Sequence, residues 1–296
     1  VAVVTRFAPS PTGRLHRGHA FSALTAQALA DRCGGRLLLR IEDIDATRCR
    51  PQFEEDVLAD LAWLGVRWED PVRRQSDHLA DYSAALSRLE GLDVLYRCFR
   101  TRAETLAQIA SAPHDAAPDP SPVGPLPPDE EARRIEEGRP FAWRLSVARA
   151  LARLDDPRLT FQETGAGPTG QAGLIDVDPF AGGDIVVARK DVGFSYHLAV
   201  VVDDALQGIT DVVRGHDLFE ATHVQRLLQA LLQLPAPVYR HHRLILRPDG
   251  KRFAKRDTAE TLQSLRAAGM SPAALRADLG FAAALAGSPA RSIIAP

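Results

Sequence analysis

Apolar positions along the chain alternate between short continuous runs and helical stripes. Residues 1–4 (Val-Ala-Val-Val) and 37–41 (Leu-Leu-Leu-Arg-Ile) are runs of the kind shown by buried parallel strands. Between them, residues 20–30 predict an apolar helix ended by Gly34 and Gly35. Pro51 opens a second helix whose apolar positions Phe53, Val57, Leu58, Leu61 and Leu64 share one face, and Gly65 stops it. Residues 77–89 predict a third helix and 94–99 a further strand. This alternation predicts an α/β fold with a doubly wound, Rossmann-type parallel sheet.

The pattern breaks at residues 111–129, where Pro113, Pro118, Pro120, Pro122, Pro125, Pro127 and Pro128 leave little apolar bulk. Such a segment reads as a flexible or polyproline-II-like loop. It falls in an expected inserted α+β unit, residues 100–183, with a helix at 129–137 and strands at 142–147 and 159–163. Residues 1–99 then form the first half of the α/β domain and 184–239 the second. The second half holds a strand at 184–189, a turn at 190–193 and the apolar run 198–202. A strand at 211–215 and a helix at 219–232 complete it. Residues 240–296 are expected as a basic loop and a short C-terminal helical segment, with helices at 260–268 and 272–279.

Composition adds bounds rather than a function. The 296 residues are 45% hydrophobic and 25% charged, which fits a soluble protein of one or two domains. A net charge of −2 gives no global argument for nucleic-acid binding. Locally, residues 240–256 carry seven Lys and Arg against one acid, Asp249, with His241 and His242 in addition. That stretch is either a solvated basic face or a surface for pyrophosphate and RNA backbone. Cys33, Cys49 and Cys98 form no Cys-x-x-Cys pair, and three widely spaced thiols suggest a reducing compartment. No run reaches membrane length and no signal peptide opens the chain, so a cytoplasmic protein with no membrane partner is expected.

Candidate chemistry begins at residues 6–19. The stretch Arg6-Phe7-Ala8-Pro9-Ser10-Pro11-Thr12-Gly13 is expected as a rigid loop rather than helix or regular strand. His16-Arg17-Gly18-His19 follows, then the apolar helix. Strand, loop, His-x-Gly-His and helix together build a phosphate site. The helix N-terminus offers free N–H groups, the imidazoles add donors, and Gly18 lets a flat base approach the backbone. Glu42, in Arg40-Ile41-Glu42-Asp43-Ile44-Asp45, stands at the carboxyl end of a strand, where open α/β sheets bind ligands. It reads as a ligand contact, with a helix-cap cluster as the alternative. Arg6 and Arg214 fall at strand ends on the same edge. They suit either a substrate carboxylate or ordinary ion pairs. Tyr196 supplies either an oriented hydroxyl or a core aromatic.

These residues resemble a known family. His16-Arg17-Gly18-His19, paired with the basic stretch Arg252-Phe253-Ala254-Lys255-Arg256, is similar to the nucleotide-binding signatures of class I aminoacyl-tRNA synthetases. Residues 6–13, 40–45, 196–204 and 212–218 resemble the catalytic domain of glutamyl-tRNA synthetases. Only about forty residues follow the basic loop, so no anticodon-binding domain is expected. That architecture resembles the glutamyl-Q tRNA(Asp) synthetase family. The resemblance implies a ligase that uses ATP with Mg2+ to form glutamyl-adenylate. It then transfers glutamate to queuosine in the tRNA(Asp) anticodon loop, working as a monomer. It implies that Arg6, Phe7, Ala8, Pro9, Ser10, Glu42, Tyr196 and Arg214 hold L-glutamate, with Glu42 on the α-amino group. It implies that His16, Gly18, His19 and Lys255 carry the chemistry at ATP, Lys255 neutralising pyrophosphate.

Three departures from the family pattern stand out. Arg252 and Ala254 replace a lysine and a serine of the basic signature, and Arg17 replaces an apolar residue of the first. Many family members hold structural zinc through cysteines beginning Cys-x-Cys. Here Cys98 is followed by Arg100 and no later cysteine, so no zinc is expected. Competing readings are a truncated glutamyl-tRNA synthetase charging tRNA 3′ ends, a plain nucleotidylyltransferase, and a non-catalytic tRNA-binding paralogue.

Overall fold

The computed structural model describes residues 2–100, 124–189, 193–246 and 261–281. The first half contains β1 (Val4–Phe7), α1 (Arg17–Arg32), β2 (Arg36–Ile41), α2 (Pro51–Leu64) and β3 (Glu69–Arg74). A 3-10 turn (Gln75–His78), α3 (Leu79–Gly91) and β4 (Leu95–Cys98) follow. The middle holds α4 (Pro128–Glu136), β5 (Ala142–Leu145), α5 (Val147–Ala152), β6 (Thr160–Glu163) and β7 (Gly173–Asp176). Then come β8 (Val186–Arg189), β9 (Gly193–Phe194), α6 (Tyr196–Leu206), β10 (Asp211–Gly215), α7 (Phe219–Leu231) and β11 (Val238–His242). Short helices α8 (Leu262–Ala267) and α9 (Pro272–Asp278) complete the described chain.

β2 pairs in parallel with β1 and β3, and β10 pairs in parallel with β11. The Val4 N–H donates to Thr210 Oγ1 at 2.9 Å, and the Thr210 N–H to the Val4 carbonyl at 2.9 Å. β1 and β10 therefore lie side by side, which sets the β3-β2-β1 sheet next to the β10-β11 pair. The chain leaves β1 in one direction and later returns on its other side. The crevice at that reversal is where α/β sheets place ligands. This is the parallel Rossmann-type sheet of the sequence reading.

Local sequence accounts for the helices. α2 starts with Pro51 at its first turn, and Gly65 ends it in the left-handed region at φ 77°. On α1, Ala20, Ala23 and Leu24 are buried and pack in one cluster with Leu39 and Ile41 of β2 and Leu61 and Leu64 of α2. α6 packs its apolar run against α3 and α7 in a second cluster.

Several expectations shift. The first strand is Val4–Phe7, so Arg6 and Phe7 belong to the strand and not to the loop. A polar Arg6 fits a buried strand because Asp204 meets it. β3 and β11 have no counterpart in the apolar pattern, since Glu69-Asp70-Pro71 and Tyr239-Arg240-His241 lack an apolar run. Residues 240–242, expected as basic loop, are thus strand, and His241 is buried at 2% exposure. Sheet pairing also crosses the boundaries at 99 and 184. β4, β5, β8 and β9 form one antiparallel sheet, while the β6–β7 hairpin joins β11. The basic signature with Lys255, the turn 190–192 and most of the proline-rich loop (111–123) lie outside the described residues.

Candidate active site

At the mouth of the crevice the two histidines cap their own helix. His16 Nδ1 accepts from the Gly18 N–H at 3.1 Å, and His19 Nδ1 accepts from the His16 N–H at 3.2 Å. This satisfies two N–H groups that a helix start would leave unpaired. It also fixes each neutral ring with its proton on Nε2, the edge that donates. The rings lie 3.8 Å apart. Gly18 gives the His16 ring room to fold back, since a Cβ there would sit a tight 3.0 Å from His16 Cε1. Arg17 turns away and pairs with Asp278 of α9, so an arginine is accommodated in the first signature.

Beneath the histidines lies a buried ionic cluster. Arg40, 0% exposed, reaches Asp204 Oδ1 at 2.7 Å, Glu42 Oε1 at 3.1 Å and Gln207 Oε1 at 3.0 Å. Arg6 donates Nε and Nη2 to the two Asp204 oxygens at 3.0 and 3.3 Å. Asp203 accepts from Arg73, Gln75 and Tyr82 at 2.7 to 3.0 Å. Burial alone would lower the Arg40 pKa, but Asp204, Glu42 and Asp203 hold it above its ordinary value. Burial pushes the Glu42 carboxyl up, while Arg40 and Arg6 pull it down in part. For Asp204 burial also opposes ionisation, yet Arg6 and Arg40 prevail and its pKa is lowered. Glu42 is thus an acid whose charge depends on cations around it, suited to meeting an ammonium group.

Across the crevice, Arg214 donates to three acceptors. Nε bonds His241 Nε2 at 3.0 Å, Nη1 bonds Gln225 Oε1 at 2.7 Å and Nη2 bonds Thr222 Oγ1 at 2.6 Å. Its guanidinium lies 5.2 Å from the Tyr239 ring centroid. His241 Nδ1 in turn lies 2.5 Å from Glu163 Oε2.

Arg6, Phe7, Ala8, Pro9, Ser10, His16, Gly18, His19, Glu42, Tyr196 and Arg214 all line one cavity of about 720 Å³. Lys255 lies outside the described residues. A second cavity, about 540 Å³, shares Ser10, Glu42, Arg48 and Tyr196 with the first and opens toward β8 and β9. Tyr196 faces both from the first turn of α6, where the Ser195 hydroxyl caps the helix by accepting the Leu198 N–H.

Sequence reasoning missed several residues. His242 lines the first cavity. It accepts from Ser22 at 2.9 Å on Nε2, donates Nδ1–H to the Arg243 carbonyl, and is pushed down to about 4, chiefly by burial. Asp203 and Asp204 had a signal, two acids ending an apolar helical run. Glu163 carries no such signal, and His241 enters the sequence pattern only as part of the basic stretch 240–256. Near Cys98 the neighbourhood is cationic and aromatic. Arg97 lies 4.4 Å from the Trp143 ring and bonds Glu131 Oε1 at 2.6 Å. Among the described residues no three His, Cys, Asp or Glu side chains converge as a metal site. No described helix is long and apolar enough to cross a membrane.

A histidine-capped helix stands beside a cavity lined by side chains of both signs of charge. The chain belongs to the class I tRNA synthetases of the E and Q type, whose catalytic-domain model matches residues 2–283. Within that family it is 49% identical over 286 residues to the glutamyl-Q tRNA(Asp) synthetase of Rhodobacter capsulatus, covering 94% of this chain and 100% of that one. The Symbiobacterium thermophilum glutamyl-Q tRNA(Asp) synthetase is 42% identical over 296 residues, at 96% and 87% coverage. The crystal structure of a glutamate tRNA ligase from Elizabethkingia meningosepticum, in complex with its amino acid, superposes with a TM-score of 0.69 at 29% identity. It matches 87% of this chain but only 52% of that longer one.

Proposed function

We propose that the protein activates L-glutamate with Mg2+-bound ATP and transfers the glutamyl group to queuosine in the anticodon loop of tRNA(Asp). In the first step a glutamate carboxylate oxygen attacks the α-phosphorus and pyrophosphate leaves. In the second, a hydroxyl of the modified base attacks the activated carbonyl carbon, its proton passes to the AMP phosphate or to water, and the bond from that carbon to the phosphate oxygen breaks to release AMP. The attacking carboxylate needs no base, so positioning and charge stabilisation carry the first step.

The observation that carries this reading is one cavity joining His16 and His19 to Glu42, Arg6, Arg214 and Tyr196. Its size is in the range of small-molecule sites. His16, Gly18 and His19 hold the phosphates, and Lys255 neutralises the departing pyrophosphate. Glu42 meets the α-amino group. Arg6, Arg214 and Tyr196, with the backbone of residues 7–10, hold the rest of glutamate. The adjoining cavity beyond Tyr196 suits the acceptor base. Close identity to two glutamyl-Q tRNA(Asp) synthetases along nearly their whole length favours tRNA(Asp) over tRNA(Glu). The enzyme works as a monomer in the cytoplasm, where its ATP and tRNA are.

Labelled glutamate offered with queuosine-containing tRNA(Asp), queuosine-free tRNA(Asp) and tRNA(Glu) tests the reading. Label confined to the first supports it. Label in tRNA(Glu) would make this a compact glutamyl-tRNA synthetase. No label and no glutamate-dependent ATP–pyrophosphate exchange would leave a tRNA-binding paralogue.

A further inference from the structure

Arg214 carries five N–H donors in a planar fork. Three are committed to His241, Gln225 and Thr222. That leaves one N–H on each terminal nitrogen for a ligand, and Arg214 lines the 720 Å³ cavity. The plane in which those two donors point is set by the partners behind it.

His241 is the partner with a choice. Arginine never accepts, so the 3.0 Å contact from Arg214 Nε requires a lone pair on His241 Nε2. The ring proton must then be on Nδ1. Glu163 enforces this: its Oε2 sits 2.5 Å from Nδ1, while its Oε1 accepts the backbone N–H groups of His241 at 3.0 Å and Gly165 at 2.7 Å. The carboxylate cannot rotate without losing both. The side chains of Glu163 and His241 are 0% exposed, and neither lines either of the two cavities described above. Tyr239↔Glu163 is also the residue pair that registers β6 against β11. Next to it, a Cβ on Gly165 would lie 2.3 Å from the His241 carbonyl oxygen, so the hairpin closes tightly here.

We propose that Glu163 and His241 are positioning residues for substrate binding. By fixing the histidine tautomer, Glu163 makes His241 an acceptor that aims the Arg214 guanidinium at a carboxylate of glutamate. The proposal rests on the functional reading above, so glutamate-dependent ATP–pyrophosphate exchange by the unaltered enzyme is the control that tests that reading separately.

Glu163→Gln is nearly isosteric. Its carbonyl keeps the two backbone N–H groups, but its amide now donates toward Nδ1. The ring proton moves to Nε2 and faces the Arg214 N–H. The KM for glutamate should rise roughly tenfold or more, with the KM for ATP unchanged. His241→Gln can place an amide oxygen where Nε2 stood, so Arg214 keeps its acceptor whatever stands at 163. In that background Glu163→Gln should add little to the KM for glutamate. Should Glu163→Gln not fold, His241→Gln against His241→Leu asks the same question, the leucine alone raising the glutamate KM. An unchanged glutamate KM in folded Glu163→Gln, an equal rise for ATP, or the same effect in both backgrounds would overturn the proposal. So would equal KM values for the His241→Gln and His241→Leu enzymes.

Discussion

Arg40 Nη1 and Asp204 Oδ1 lie 2.7 Å apart although 164 residues separate them, and the Arg40 side chain is wholly buried. The pair ties β2 to α6 across the sheet edge that carries the cavity. Arg6 of β1 clasps the same carboxylate with two further bonds. Removing one partner of a buried ion pair leaves the others uncompensated in a medium that solvates charge poorly. Asp204→Ala should therefore lose about 3–5 kcal/mol of stability. Urea unfolding measures it, and a loss below 1 kcal/mol would show that the cluster relaxes.

Glu42 is the acid in this cluster that also lines both cavities. Glu42→Gln keeps its shape and removes its charge. On the proposed function the KM for glutamate in pyrophosphate exchange rises about 10- to 100-fold, as for a lost hydrogen bond between charged groups. The KM for ATP stays put. Equal rises for both substrates would place Glu42 outside the amino-acid subsite.

His16 holds two roles that substitution can separate. Asparagine is a good N-cap, so His16→Asn should keep the helix start and melt near the unaltered protein. Its exchange rate should fall about a hundredfold if the imidazole donates to phosphate. His16→Ala should lose activity and, in addition, about 1 kcal/mol of stability. Full activity in the asparagine variant would reduce His16 to a cap.

Lys255→Ala should depress glutamyl-adenylate formation while leaving the melting temperature alone. Undiminished pyrophosphate exchange would remove Lys255 from the chemistry and turn attention to Lys251.

Asp60 of α2 is 1% exposed, and its Oδ2 has no hydrogen-bond partner among the described residues. Burial first, and Asp56 in addition, raise it from 3.8 to about 6 against the pull of Arg266 and Arg14. A carboxyl with a raised folded pKa favours the folded state fully below its unfolded value and loses that contribution as pH rises through the folded one. Between about pH 4 and 6, Asp60 thus makes stability decline with rising pH. Asp60→Asn should flatten this part of the profile and be the more stable protein at pH 7. Superimposable stability profiles for the two proteins would show that Asp60 ionises without cost.

The sequence by itself determined the elements whose signals are local. Pro51 and Gly65 bound α2, a continuous apolar run became β2, and His-x-Gly-His followed by an apolar stripe became a capped helix. It also placed Glu42, Tyr196 and Arg214 at element ends, because strand and helix termini are where a chain leaves regular structure. Tertiary structure alone decided what those residues touch. β3 and β11 are strands without an apolar run, so only their neighbours reveal them. A bidentate Arg6–Asp204 pair, or a Glu163 reaching His241 from 78 positions away, leaves no periodicity to read. Hydrophobic burial is a property of one residue in its local pattern. A hydrogen bond between buried polar groups belongs to a pair, and the fold must be known before the pair exists.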